Sequence, residues 1–234
     1  MITLICVTTL RCRFRPVKRI TQVCLHDSHS MTAIVKHSMP KQPMKERILD
    51  TAERLFYGAG IRATGVDTIA AEVGISKRTL YNHFPSKDAL VAAYLKRGFL
   101  TQHPSQRPPL EQILRAFDRL EKGFEDKDFR GCRFVNAVAE LGDDDRAARK
   151  IAIDYKEGRR HWFRERLVAI GVNDPDQLAT QLAMLVDGAI AMAMVRGDPS
   201  MARAAASAAR VLLADAGVDL SEQAQKTARP PAKA

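Results

Sequence analysis

One stretch, Ile69 to Lys87, constrains the fold of this chain more than any other; it reads IAAEVGISKRTLYNHFPSK. Apolar residues at helical spacing, Ile69 and Val73 among them, precede Gly74, which permits a backbone turn that a side chain would resist. Ser76 then provides a good N-cap, because its hydroxyl can accept a hydrogen bond from an unsatisfied helical N–H. The pattern predicts two short helices joined at a steep angle, the helix-turn-helix arrangement.

The second of these helices has two contrasting faces. Leu80 and Phe84 are apolar and four residues apart, so they lie on one face. The remaining positions carry side chains that suit phosphates and base edges: Lys77, Arg78, Thr79, Tyr81, Asn82 and His83. This distribution is typical of a helix that lies in the major groove of DNA.

The residues around this motif resemble the TetR/AcrR family of bacterial transcriptional regulators. Upstream, Met44–Gly60 (MKERILDTAERLFYGAG) is similar to the family's first helix; downstream, Thr79–Leu95 (TLYNHFPSKDALVAAYL) is similar to the segment that enters its fourth helix. The combination of LY, HF and SK at these spacings is specific to the family. The close resemblance covers Met44 to Arg97, with one departure: Gly65 stands where family members more often carry Ser or Thr, which are better caps.

The resemblance implies an all-α homodimer that binds a short palindromic operator on double-stranded DNA, most often as a repressor. On the exposed part of the recognition helix, the residues expected to approach base edges are Lys77, Arg78, Thr79 and Asn82. Those expected to bind phosphates are Tyr81, His83, Lys87 and, at the start of the second helix, Thr64. In the family, a ligand held in the body displaces the fourth helix and changes the separation of the two DNA-binding heads, so the operator is released.

Charge is unevenly distributed along the 234 residues. Residues 1–43 hold seven Lys and Arg against one Asp, residues 44–98 hold nine basic against six acidic residues, and the remainder is nearly neutral, with 21 against 20. Such asymmetry is typical of an anion-binding head on a sensing or assembly body.

The sequence predicts four segments. Residues 1–43 are either a disordered basic arm or residues that precede the true start at Met31, Met39 or Met44. The DNA-binding domain occupies residues 44–98, a helical ligand-binding and dimerisation domain occupies 109–217, and a disordered tail follows at 218–234. Ser86 is predicted to cap a fourth helix of the DNA-binding domain, from Lys87 to about Leu100. Five helices are predicted in the body: Leu110–Glu125, Arg133–Leu141, Arg146–Ile170, Pro175–Val195 and Pro199–Ala216.

The last two predicted helices are unusually rich in small and apolar residues. They could fill the core of a monomer, but their apolar width exceeds what one core face needs. We expect them instead to pair with their counterparts in a homodimer, because a two-fold operator requires two recognition helices.

A small apolar inducer is expected in the body, where larger side chains could line a cavity. The predicted ligand-binding residues are Phe117, Phe134, Asn136, Glu140, Tyr155, Trp162, Met184 and Asp187. At helical spacing such residues are more often core than pocket. Asp187 lies in an apolar run and needs a partner, which is either a ligand, an arginine, a helix end or the dimer interface.

No catalytic signature occurs: there is no nucleophile elbow, phosphate-cradling glycine loop or zinc motif, so neither an enzyme nor a cofactor is predicted. Glu157, His161 and Glu165 share a helix face at a spacing that could bind a metal. Their segment, KEGRRHWFRERL, is so heavily charged that a solvated face explains it better.

The cysteines and the N-terminal residues indicate the cellular compartment of the protein. Cys6, Cys12 and Cys24 lie in the arm and show no zinc spacing, which favours a reducing cytoplasm and, for a DNA-binding protein, association with the nucleoid. The apolar run Met1–Leu10 has no basic residue before it and is too short to span a bilayer, so no membrane partner is expected. Cys132 in the body is either packed or reactive.

A second hypothesis belongs to a different class of protein. In it, the chain is a helical module that binds a small molecule or a partner, and its DNA binding is non-specific or architectural. DNA binding that is insensitive to salt or blind to sequence would favour this alternative.

Overall fold

The computed structural model describes residues 42–101, 105–142 and 145–221, and its regular secondary structure over these residues is entirely helical. The helices of the N-terminal head are α1 (Met44–Ala59), α2 (Val66–Val73), α3 (Lys77–His83) and α4 (Lys87–Arg97), followed by a 3₁₀ turn at Gly98–Thr101. Those of the body are α5 (Pro109–Phe124), α6 (Arg133–Leu141), α7 (Arg146–Ala169), α8 (Pro175–Arg196) and α9 (Met201–Asp215). The predicted fold class, all-α with a helix-turn-helix near the N-terminus, is confirmed.

The predicted arm and tail lie outside the described residues, apart from residues 42–43 and 218–221. The three cysteines of the arm are therefore also outside. Cys132 is described and is a free, half-buried thiol.

Local signals for helix ends account well for the observed boundaries. Ser76 Oγ accepts a hydrogen bond from the Thr79 amide at 3.1 Å, and Ser86 Oγ caps α4 in the same way. Asp145 caps α7 through the Ala148 amide at 2.9 Å. Such caps are each worth about 1 kcal/mol. Gly74 takes a φ of 76°, the left-handed conformation that the turn between α2 and α3 requires.

Two predicted boundaries differ from the structure by more than one residue. The fourth helix, expected to reach Leu100, ends at Arg97 and tightens into the 3₁₀ turn. The last helix begins at Met201 rather than Pro199, because the Ser200 amide bonds to the Asp198 carboxylate and the Met201 amide to the Asp198 carbonyl. These bonds form a turn before the helix starts.

Two apolar clusters organise the described helices. The first joins the head to α6 and α7: Ile48, Phe56, Leu80, Leu90 and Tyr94 of the head belong to the same cluster as Phe134, Ala137 and Ile151. The second joins α5, α7, α8 and α9 and contains Ile113, Phe117, Phe163, Leu167, Leu182 and Leu213. The head therefore packs on the α6–α7 part of the body, away from the second cluster.

A polar contact also closes the head. Gln42 and Arg97 both donate hydrogen bonds to the carboxylate of Asp50, which ties the end of α4 to α1. The bond from Gln42, together with the bond and charge of Arg97, holds the pKa of Asp50 below its ordinary value.

Among the described helices, α8 is long and apolar enough to cross a membrane by length and composition, with a mean hydropathy of 1.7. In the fold it lies along α7 and α9, and a third (33%) of its most apolar window is buried. The core helix of a globular protein meets the same criterion, so this property by itself does not indicate a membrane span.

Candidate nucleic-acid interface

The helix α3 presents a cationic surface that carries no carboxylate. Leu80 is fully buried and fixes the helix against α1 and α2, so the opposite side faces solvent. The exposed side chains are Lys77, Arg78, Tyr81 and Asn82, with Tyr81 38% exposed. All four can donate hydrogen bonds to phosphates or base edges.

Lys77 is already engaged within the head. Its ammonium lies 3.0 Å from a carboxylate oxygen of Asp67 on α2, and this hydrogen bond raises the pKa of Lys77. Both side chains are exposed, and ion pairs in water are weak and readily exchanged. The pair thus leaves Lys77 available to a phosphate or a guanine edge.

Three predicted DNA contacts are less exposed. Thr79 is half-buried and its hydroxyl lies 2.9 Å from that of Ser76, so it shares in the cap of α3. His83 and Lys87 are also half-buried; Lys87 is the first residue of α4, directly after the Ser86 cap. Lys87 therefore lies beside α3 rather than on it.

Thr64 is not on this surface, and the structure contradicts its predicted role. It is 3% exposed, and its hydroxyl donates to the Gly60 carbonyl at 2.7 Å, which closes the loop between α1 and α2. The N-cap of α2 is Gly65, without a side-chain cap. A threonine before a helix can bond forward to the helix or back to the preceding loop, and here it does the latter.

Lys45 on α1 is a further candidate DNA contact that the sequence did not predict. Its ammonium lies 5.6 Å from the centroid of the Phe84 ring, directly after α3, and its side chain is exposed. Nothing in the local sequence marks Lys45, because its nearness to α3 depends on how α1 packs across the head.

The head is tied to the body by hydrogen bonds at the end of α1. The Tyr57 hydroxyl donates to the Gly131 carbonyl at 3.0 Å and accepts from the Arg130 amide at 2.8 Å. Burial raises the pKa of Tyr57, so the phenol keeps its proton. The Glu140 carboxylate of α6 accepts from the Arg62 amide at 3.0 Å. The loop before α6 and the C-terminal end of α6 are therefore both hydrogen-bonded to the head, and we call this set of bonds the grip between head and body.

This grip accounts for two of the predicted ligand-binding residues. Glu140 bonds to the head, and Asn136 donates to the Arg130 carbonyl at 2.7 Å. Both line a cleft of about 520 Å³ beside Tyr57 rather than a cavity inside the body. Glu140 therefore joins the head to the body, whereas Asn136 bonds within the body, to the loop whose Arg130 amide binds Tyr57.

The body contains a pocket of about 340 Å³ between α5, α7 and α8. Tyr155 and Trp162, two of the predicted ligand-binding residues, line this pocket. Phe117 is buried behind Phe163, its ring 6.0 Å away, and Phe163 forms the wall. Phe134 stacks on Tyr155 at 3.8 Å but lies on the other side, toward α6.

Asp187 and Met184 have different surroundings. Asp187 accepts from Arg159 at 2.7 Å and from Lys156 at 2.6 Å, so cationic side chains supply the partner that its position demands. Met184 is 68% exposed and lies in a groove between α8 and α9, outside the body pocket.

Comparison with known proteins covers both halves of the chain. Residues 48–94 match the model of the bacterial regulatory proteins of the TetR family, and residues 109–208 match that of the LmrA/YxaF-like transcriptional regulator C-terminal domain. A crystal structure described as a TetR transcriptional regulator from Streptomyces avermitilis is 34% identical, covers 76% of this chain and 100% of its own, and has a TM-score of 0.68.

The chain belongs to the TetR family. SCO4454, a TetR-family regulator from Streptomyces coelicolor, is 32% identical over 74% of this chain and 95% of its own, with a TM-score of 0.67. YxaF of Bacillus subtilis is 24% identical over 165 residues, which is 66% of this chain and 86% of YxaF. The match to YerO of Bacillus subtilis, 37% identical over 95 residues, spans only 33% of YerO.

As a TetR-family member, the chain is a DNA-binding transcriptional regulator; its relatives are regulators and not enzymes. Regulators of this family bind DNA and act as dimers. In the part of the chain that the structure describes, no three His, Cys, Asp or Glu side chains are grouped to hold a metal. Glu157, considered above as a ligand, pairs with Arg160 at 2.9 Å.

The TetR-family body also holds functional candidates that sequence reasoning missed. Four arginines line the pocket: Arg107, Arg115, Arg119 and Arg159. Arg107 precedes Arg115 by eight residues and Arg119 follows it by four, so the three are at helical spacing. This pattern is present in the sequence, but the predicted ligand-binding residues included aromatic side chains and no arginine. Burial opposes the charge of Arg159, yet Tyr155 and Asp187 keep the pKa of its guanidinium above the ordinary value.

Proposed function

We propose that this regulator is a repressor that binds a palindromic operator as a dimer and leaves it when a small molecule enters the body pocket. We place it in the cytoplasm. The observation that carries the proposal is the exposed, carboxylate-free surface of α3, held by the Ser76 cap and the buried Leu80.

Base reading is assigned to the exposed tip of α3. Arg78 can donate two hydrogen bonds to a guanine, and Asn82 can pair with an adenine. Lys77 and Thr79 contribute near the start of the helix. Tyr81, His83 and Lys87 are assigned to phosphates, with Lys45 added because its ammonium lies next to the end of α3.

We propose that dimerisation uses α8 and α9. Along them, large apolar side chains remain exposed, from Met184 through Met192 to Val195 on α8 and Val211 on α9, with Val195 76% exposed. A groove of about 580 Å³ runs between the two helices and is lined mostly by small and apolar residues, including Ala204 and Ala208. Small residues let helices approach closely, and apolar patches of this kind mark protein interfaces. A two-fold pairing here would bring two α3 helices to one operator, whose half-sites lie about 34–36 Å apart.

The proposed release runs through Tyr155. This side chain lines the body pocket, stacks on Phe134 of α6 at 3.8 Å, and meets the ring of Phe99 after α4 at 5.4 Å. Because α6 is hydrogen-bonded to the head and Phe99 lies in the 3₁₀ turn directly after α4, displacement of Tyr155 would act on both α6 and α4. A ligand that prefers the displaced arrangement would then alter the spacing of the two heads.

The test is a gel-shift of purified protein on the DNA upstream of its own coding sequence, at near-physiological salt with competitor DNA. A discrete complex that resists competitor supports a specific operator. Arg78→Ala should relax the discrimination between that operator and single-base variants, whereas a retained preference would contradict the assignment of Arg78. Binding that competitor abolishes would favour the non-specific or architectural alternative.

A further inference from the structure

We propose that the inducer is an organic anion with an apolar body, and that its acidic group binds Arg159 in the pocket between α5, α7 and α8. This inference rests on the proposed function, in which that pocket holds the inducer. It replaces the expectation of a purely apolar ligand.

The first observation is the charge of the pocket wall. Four arginines line it, and no carboxylate does. Of these arginines, Arg119 on α5 has an exposed side chain that makes no hydrogen bond or ion pair with any residue the structure describes. The wall therefore offers cationic donors without an anion of its own.

The second observation is that the carboxylates behind the wall are shared. Glu111 accepts from Arg107 at 2.7 Å and from Arg115 at 3.5 Å. Asp187 is shared between Arg159 and Lys156. Each carboxylate thus serves two cations, so the region keeps a positive excess that an anionic ligand would offset.

Arg159 is the residue best placed to bind the acid. Its side chain is only 14% exposed. One terminal nitrogen bonds to Asp187 at 2.7 Å and the other to the Tyr155 hydroxyl at 3.0 Å, which fixes the plane of the guanidinium. A guanidinium has five N–H donors, so these two bonds leave capacity for a carboxylate.

The rest of the wall is mixed: Ser105, Gln112 and Tyr155 are polar, and the remaining side chains are apolar. Trp162, Phe163, Leu120 and Val186 face the same pocket as the arginines. A wall that combines flat aromatic surface with a fixed cation suits an aryl or alkyl acid, in which the apolar body is buried and the acidic group is paired. A neutral or cationic ligand would leave the positive excess of this region without an added anion.

Tyr155 links this chemistry to the response. Since its hydroxyl accepts from Arg159, an acid that draws the guanidinium toward the pocket also pulls on Tyr155. Tyr155 in turn contacts Phe134 and Phe99. The acidic group of the ligand is thereby coupled to α6 and to the end of α4.

The experiment measures binding of matched acids and amides to the full-length protein by calorimetry at neutral pH. The probes are benzoate, cinnamate, 2-naphthoate, biphenyl-4-carboxylate and decanoate, each with its carboxamide. We expect at least one acid to bind with a Kd below about 1 mM and its amide to bind at least about tenfold more weakly, because the amide loses a charge-assisted pairing.

Three variants localise the effect. Arg159→Gln should weaken binding of that acid at least about tenfold, and Arg119→Gln should weaken it by a smaller factor. Arg164→Gln is the matched control, because Arg164 is also on α7 but pairs with Asp176 and does not line the pocket. Arg119 makes no contact that holds the fold, so Arg119→Gln still tests whether the acid occupies this pocket should Arg159→Gln fail to fold.

Binding of no acid, equal binding of acids and amides, or indifference to both pocket variants would overturn the inference. Release from upstream DNA is measured separately, by fluorescence anisotropy. An acid that binds but does not release DNA leaves the anion site standing and refutes ligand-responsive repression. Release of DNA by a neutral compound, with no acid bound, supports ligand-responsive repression and refutes the anion site.

Discussion

Tyr57→Phe tests the grip between head and body, because it removes one hydroxyl that makes two hydrogen bonds across this junction. The hydroxyl donates to the Gly131 carbonyl and accepts from the Arg130 amide. A net contribution of about 1 kcal/mol for each bond gives a loss of about 2 kcal/mol. The Arg130 bond is exposed and water can replace it, so we expect a loss of about 1–2 kcal/mol in the free energy of unfolding.

The assay is urea unfolding followed by far-UV circular dichroism, with all variants at one protein concentration because dimerisation shifts apparent stability. In thermal unfolding the same loss should lower the Tm by roughly 2–8 °C for a chain of this size. The variant loses only one hydroxyl and keeps the aromatic ring and both backbone partners, so it should still fold.

Tyr81→Phe is the matched control, since it makes the same chemical change on α3. Tyr81 is exposed and its hydroxyl has no hydrogen bond to a described residue, so its loss should leave stability unchanged and weaken DNA binding. A stability for Tyr57→Phe within about 0.3 kcal/mol of the wild type would refute the reasoning, because the two bonds would then contribute nothing. Equal destabilisation by both variants would also refute it.

Three further predictions concern charge in the head. Lys87→Ala should weaken binding to all DNA sequences and reduce the slope of log K against log salt by about one; an unchanged slope would remove Lys87 from the phosphate contacts. Asp67→Asn should free Lys77 and strengthen non-specific DNA binding in a filter assay, since a carboxylate leaves the DNA-facing surface; weaker binding would show that the pair positions Lys77 for DNA. Asp50→Asn should make the free energy of unfolding depend less on pH in the acid range. Because the pKa of Asp50 is lowered in the folded state, its carboxylate stabilises the fold above the unfolded-state pKa of about 3.9, and this stabilisation is lost as the pH falls through the folded-state pKa. Parallel wild-type and variant curves of unfolding free energy against pH, between about pH 5 and about pH 2, would contradict the assignment.

The sequence was sufficient for features that depend on neighbouring residues. Ser76 and Ser86 cap the helices as predicted, and Gly74 turns the chain with a positive φ, because a cap or a turn is decided within three or four residues. The periodic apolar residues likewise predicted each helix of the body to within two residues at either end.

Features that depend on tertiary contacts were predicted less well. Thr64 has the residue type of a phosphate ligand, but the turn of the chain after α1 directs its hydroxyl to Gly60. Asn136 and Glu140 share a helix face as expected, yet that face lines the cleft between head and body, where Glu140 bonds to the head. Which surface a helix face meets is set by packing, and a single sequence carries little information about it.

In the body pocket, aromatic residues are weaker evidence for a ligand than arginines are. Aromatic side chains in helices pack together whether or not a ligand is present, as Phe117 and Phe163 do here. Arginines at a pocket wall have no such default, since each must be hydrated or paired. Arg159 is largely buried and shares the Asp187 carboxylate with Lys156, so two cations there face one anion. In a helical body of this kind, incompletely compensated cations are therefore a stronger indication of ligand chemistry than the aromatic residues that surround them.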